Sequence, residues 1–177
     1  MVILQRKEDL KMKGNTLFAD EIEFKFSGKK ISKTEIDEIE DFPGKEDFIN
    51  FYTIHNGGDF IDGAWFFPES CYDTSALGKQ YITLSMFLKI RVDDQERGLN
   101  IDVINDIINE KYKKFEDFVL FHIPFALDVI DNPFWIDIQT GEIRYIDFQV
   151  STNPKDVITV ASSFKNFCAC IRKRIRI

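Results

Sequence analysis

The residues with the most chemical potential in this 177-residue chain are few and scattered. His55, Asp59 and Asp62 have the types of a divalent-metal group, since imidazole and carboxylate are both ligands. No second His lies near and no Cys pair accompanies them, so the trio reads instead as a helix end followed by two turn aspartates. His122 stands inside an apolar run, where a hydrogen-bonded histidine fits better than a general base. Cys71 lacks the neighbours that activate a nucleophile. Cys168 and Cys170 are two positions apart on a helical stretch and so point about 200° apart, which suits neither a shared metal nor a disulfide. All three cysteines are expected as buried free thiols of a reducing compartment. Asn56-Gly57-Gly58 resembles a phosphate loop in composition, but it closes a helix instead of opening one, so the dipole has the wrong sign for an anion. With no P-loop and no dinucleotide fingerprint, no cofactor and no enzymatic activity are expected.

Composition narrows the classes further. The chain is 44% hydrophobic and 30% charged, as folded domains are, and its 18 Phe supply a large aromatic core. No apolar run reaches the roughly 18 residues of a membrane span, and MVILQRKEDLK has too short an apolar core for a signal peptide. A cytoplasmic protein that does not touch membrane is the expectation. The net charge is −7, although Arg172, Lys173, Arg174 and Arg176 concentrate four positive charges at the end; residues 1–171 carry 19 basic against 30 acidic side chains, a balance of −11. That acidity disfavours direct nucleic-acid binding and suits either solubility or a basic protein partner. The basic tail reads as the frayed end of a last helix, with an exposed partner handle as the alternative.

These residues must be positioned by an antiparallel meander over Phe118–Phe148. A first β-rich run, Phe118–Ile130, contains Pro124, which requires an edge or a bulge. Asp131-Asn132-Pro133 breaks it. The second run is Phe134–Ile138, and Gly141 supplies the positive φ of the next turn. The third, Ile143–Phe148, sets Ile143, Tyr145 and Asp147 on one face and Arg144, Ile146 and Phe148 on the other. The meander is expected to wall a single core. Upstream, Ile22–Phe26 alternates as an early edge strand. Ser32 and Glu35 form a capping box for a short helix bearing Ile36 and Ile39, ended by Pro43-Gly44. Phe48, Phe51, Tyr52 and His55 stripe a second helix, followed by Ala64–Pro68, a short apolar run fit for a strand, and by Tyr81–Ile90, another mixed apolar segment. Asn100 or Asp102 starts a third helix, faced by Ile104, Ile107, Ile108, Lys111, Tyr112 and Phe115. Asn153-Pro154 and Asp156 signal a last helix, although Val157–Val160 is β-branched and could first stay extended. Phe164, Phe167, Cys168 and Ile171 then form a helical stripe. The class is α+β: one domain with a mostly antiparallel central sheet and helices packed on it.

The order of ISKTEIDEIE, FPGKEDFINFYTIHNGG, AWFF, IPFALDVIDNPFWIDIQTGEIRYID and VASSFKNF resembles the SUKH superfamily. Its members include a yeast cell-wall assembly regulator and many bacterial immunity proteins encoded beside polymorphic toxins. The resemblance spans residues 31–171, leaving 1–30 as an N-terminal extension and 172–177 as a basic tail. It implies structural roles for Pro43, Asn56, Gly57, Gly58 and Trp65, and for Pro124, Asp137, Gly141, Phe164 and Phe167. The implied function is a non-catalytic immunity protein that neutralises a cognate toxin domain, with a basic nuclease as one candidate. A scaffold or regulatory module like the yeast regulator is the alternative. Such a protein needs a rigid face, charge and a few anchors. Asp59, Asp62, Glu69, Tyr72 and Asp73 are the partner-binding candidates in the first half. Asp93, Asp94, Glu96, Asp128 and Asp131 complete the set. Asp128, Asp131 and Asp137 could form one acidic rim, and Trp65, Phe66, Phe67, Tyr72 and Trp135 are candidate aromatic anchors.

Overall fold

The computed structural model describes residues 17–93 and 99–174. Eight strands form one antiparallel sheet: β1 (Phe24–Lys25), β2 (Gly58–Phe66), β3 (Ile82–Phe87), β4 (His122–Asp128), β5 (Pro133–Asp137), β6 (Ile143–Tyr145) and β7 (Ile158–Ala161) lie side by side in chain order. The eighth, β8 (Ile171–Lys173), pairs with the end of β2. Among the described residues five α-helices accompany the sheet: α1 (Lys33–Ile36), α2 (Lys45–Ile54), α3 (Ile101–Lys111), α4 (Glu116–Val119) and α5 (Phe164–Ala169). The α+β class and the antiparallel meander β4-β5-β6 are as the sequence predicts.

The sheet buries both faces, not one. Ile36 of α1, Phe48, Phe51 and Tyr52 of α2, and Phe164 and Phe167 of α5 cover one face over Phe66, Phe87, Phe125, Phe134 and Tyr145. Ile104 and Ile108 of α3, together with Phe115 and Val119, cover part of the other over Leu127, Trp135 and Ile146. Period-two alternation explains the division: Phe134 and Ile136 serve the first core and Trp135 the second. The expectation of a single core is therefore corrected to two.

Local chemistry places the elements. Ser32 and Glu35 form the expected capping box, but α1 is a single turn, and Ile39 packs from outside it. Asn56 clamps the chain after α2: its amide donates to the Lys29 and Ile90 carbonyls at 2.8 and 2.9 Å and accepts from Ile90 N–H at 2.8 Å. Gly57 follows at φ +64, where a Cβ would stand 2.5 Å from the Leu88 oxygen. β2 starts at once with Gly58, so Asp59 and Asp62 belong to a strand and not to a turn. Pro124 lies within the sheet at a register shift, the bulge its missing donor demands.

Three further segments differ from expectation. Phe118 and Val119 are helical, because Phe118 packs edge-on against Trp135 at 5.1 Å and Val119 enters the second core. Pro154–Asp156 is an isolated 3-10 turn, Ile158–Ala161 is strand, and the last helix begins at Phe164, capped by the Ser163 hydroxyl on Asn166 N–H. Arg172 and Lys173 are not a frayed helix end but lie in β8, opposite Trp65 and Ala64. Cys168 is buried and its thiol pKa is pushed up by burial, Cys170 is half-buried, and Cys71 is exposed, which corrects the expectation for that residue.

Candidate interaction surface

One end of the sheet gathers the starts of β3, β5 and β7 and the ends of β4 and β6. The tight β4–β5 turn projects from it. Its tip, Val129 and Ile130, is 57% and 43% exposed, yet the residues beneath are fixed by one buried carboxylate. Asp128 Oδ1 accepts the N–H groups of Ile130 and Asn132, each at 2.9 Å. Its Oδ2 accepts the Tyr145 hydroxyl at 2.8 Å and the Asn132 amide at 3.0 Å. Asn132 returns a bond by accepting Phe148 N–H at 3.1 Å, and Val129 N–H reaches the Thr83 carbonyl at 3.0 Å. Burial, with the Asp128 charge beside it, drives the Tyr145 phenol far above its ordinary pKa, so this hydroxyl stays a donor. Asp131 completes the turn at φ +66, a conformation Asp tolerates.

Clefts flank this tip. One, of about 400 Å³, is lined by Ile107, Ile108, Tyr112, Leu127, Ile130 and Phe148. Another, of about 580 Å³, runs along Tyr81, Ile82, Thr83, Val129 and Ile130. Tyr81 continues the apolar surface to Trp65 and Phe67, with ring centroids 5.3 and 5.8 Å away. Ile107, Ile130, Val129, Tyr81 and Phe67 thus form a broken apolar band of exposed side chains. Burying such a band on association is favourable, and the surplus over ordering and desolvation costs appears as affinity. Val129, Ile130, Tyr81 and Ile107 escape the partner candidates of the sequence reading, because apolar residues in strand and helix patterns look like core until burial is known.

The predicted acidic candidates do not come together. Asp128 is 2% exposed and spent on the turn, so it positions the surface but cannot meet a partner. Asp131 stands exposed beside the tip, while Asp137 lies at the opposite end of β5, so the single acidic rim is not formed. Glu69 holds β7 and α5: its N–H meets the Val160 carbonyl at 3.0 Å, and its carboxylate accepts from Ser162 N–H and the Asn166 amide. Tyr72 donates to Glu142 at 3.3 Å, Asp73 caps Ser75, and Asp93 pairs with Lys29. Asp59 and Asp62 sit half-buried on β2, and Asp94 and Glu96 lie outside the described residues. Of the aromatic anchors, Phe66 and Trp135 are fully buried, Trp65 and Tyr72 are half-buried, and Phe67 is exposed.

A second polar cluster lies at the far end of β5. Asp137 accepts from Gln139 and Thr140 N–H at 2.9 and 3.2 Å and from Arg144 at 3.0 Å; Arg144 also pairs with Glu142 at 2.9 Å. His122 stacks on Phe118 and its Nδ1–H donates to the Phe118 carbonyl, with Nε2 3.8 Å from Asp137. Every member is engaged within the fold. Among the described residues no three His, Cys, Asp or Glu side chains converge for a metal, and His55 packs on Phe24 and Phe51. No helix among them is long and apolar enough to cross a membrane.

The fold and this surface define an α+β domain whose most developed external feature is apolar and rigid. Residues 30–169 match the SMI1 / KNR4 family (SUKH-1), and the chain belongs to that family. Neither the curated proteins nor the solved structures give a match.

Proposed function

We propose that this chain is a cytoplasmic immunity protein that binds a cognate toxin domain and neutralises it by occlusion, without catalysis. Membership of the SUKH-1 family supports protein binding as the general role. The observation that carries the reading is the β4–β5 turn: two exposed aliphatic side chains on a backbone whose carboxylate brace is completely used. A rigid apolar projection between clefts loses little conformational entropy on binding, which is what an inhibitor that must act at low concentration requires. The −7 net charge supports a basic target, since opposite net charge speeds encounter.

The test is to mix the purified chain with the toxin domain encoded beside its gene and to follow toxin activity and complex mass together. A 1:1 complex with loss of activity is expected. Full toxin activity with no complex overturns the reading, and stable capture of an endogenous regulatory enzyme instead moves it to a scaffold like the yeast cell-wall regulator.

A further inference from the structure

Among the described residues β1 is the outermost strand beside the start of β2, and the stretch Glu23-Phe24-Lys25 is self-complementary in charge when read antiparallel. Phe24 faces Phe60 and Lys25 faces Asp59, while Ile61 N–H donates to the Glu23 carbonyl at 3.2 Å. The backbone groups of Glu23 and Lys25 are therefore directed at β2, and those of Phe24 point away from the sheet. The neighbouring part of this edge is already closed, because Asp20 accepts Lys173 N–H of β8 at 2.8 Å. Just past the strand, Phe26 is 71% exposed at φ +56. A bulky side chain in the left-handed region costs of order 1–3 kcal/mol, and such strain concentrates at sites of interaction. The backbone after it is pinned by Ser27 Oγ–H on the Gly57 carbonyl and Gly28 N–H on the Asn56 carbonyl.

We propose that β1 is the contact of a twofold dimer, in which Phe24 of two copies exchange backbone hydrogen bonds and the sheet continues across the axis. Antiparallel pairing about Phe24 sets Glu23 of each copy against the partner's Lys25, so that this opposite-charge contact occurs twice. Charge complementarity selects the second copy. An edge lysine ordinarily repels foreign strands, whereas Glu-Phe-Lys met by a second copy of itself in antiparallel order has both its charges answered. Phe26, exposed just past the strand, lies next to this contact, while Ile22 on the other side of Phe24 packs on the first core. This inference is independent of the toxin reading.

The experiment is analytical ultracentrifugation of the full chain and its charge variants over a wide concentration series. The wild type is expected to dimerise. Glu23→Lys places two Lys–Lys pairs across the axis and Lys25→Glu two Glu–Glu pairs, so each alone weakens the dimer about tenfold or more. An equimolar mixture of the two variants restores every opposite-charge pair and is expected to form a heterodimer. A wild type monomeric at all concentrations overturns the proposal. So does a dimer indifferent to either single variant, or a mixture that does not reassociate.

Discussion

The two ends of β5 solve the same geometric problem and put the solution to opposite uses. At each end an aspartate accepts two backbone N–H groups of the adjoining turn, and a residue at positive φ closes it: Asp128 with Asp131 at one end, Asp137 with Gly141 at the other. At the Gly141 end the turn is pressed into the body, where a Cβ on Gly141 would lie 2.4 Å from the Pro43 carbonyl oxygen. At the Asp131 end the turn is braced from below and left open above, with Val129 and Ile130 in solvent. The Gly141 turn closes a hairpin and is packed, whereas the Asp131 turn presents apolar side chains on a bonded frame, and the proposed function rests on that difference.

Breaking the packed turn has the largest expected effect on stability. Gly141→Val combines a positive φ with a backbone collision, and a loss of about 3 kcal/mol or more is expected in chemical denaturation. Asp128→Ala follows: it removes four hydrogen bonds from a buried site and leaves Tyr145 and Asn132 short of acceptors, at about 2–4 kcal/mol. A urea titration of the two variants ranks them, and Asp128→Ala additionally weakens partner binding because the tip loses its shape.

Both turns were legible in sequence as turns, from Asp-Asn-Pro and from Thr-Gly. What sequence alone could not separate was which apolar residues beside them are core. Val129 and Ile130 continue the pattern of Phe125–Leu127 without a break, and only the tertiary placement of α3 and of the chain before β3 leaves them uncovered. The same blindness hid the second core, since Trp135 reads equally well as anchor or interior. Two of the acidic candidates, Asp128 and Glu69, mislead for the opposite reason. Asp128 and Glu69 have the composition of a surface, yet both are used by the fold. Local signals with a mechanism of their own, such as the Ser32 capping box and the positive φ at Gly141, transferred directly.

Acid should separate the two ends more gently. Burial holds the His122 and His55 imidazoles below the usual pKa. The unfolded chain then takes up these protons first, so stability is full above about pH 6.5 and declines as pH falls below it. Asp137 adds a second loss at lower pH. Burial works to raise its pKa, but the Arg144 hydrogen bond and two turn N–H groups outweigh that and hold it below the usual range. Its contribution is present above about pH 3.9 and disappears below. Melting temperatures recorded across pH check this, and His122→Gln should shrink the first step to the His55 share and reduce the second slightly, since the nearby His122 charge also helps to hold the Asp137 pKa down. The smallest stability effect is expected at the open tip. Val129→Asp and Ile130→Asp remove side chains that are 57% and 43% exposed and should each change unfolding free energy by no more than about 1 kcal/mol.

That contrast supplies the most direct test. Calorimetric titration of the toxin domain proposed as partner, against wild type and against the Val129→Asp/Ile130→Asp double variant, measures what the tip contributes to binding. The account predicts a double variant that melts like wild type but binds at least about a hundredfold more weakly, a loss of about 2.7 kcal/mol. Wild-type affinity in a correctly folded double variant would contradict it and move the contact elsewhere on the molecule.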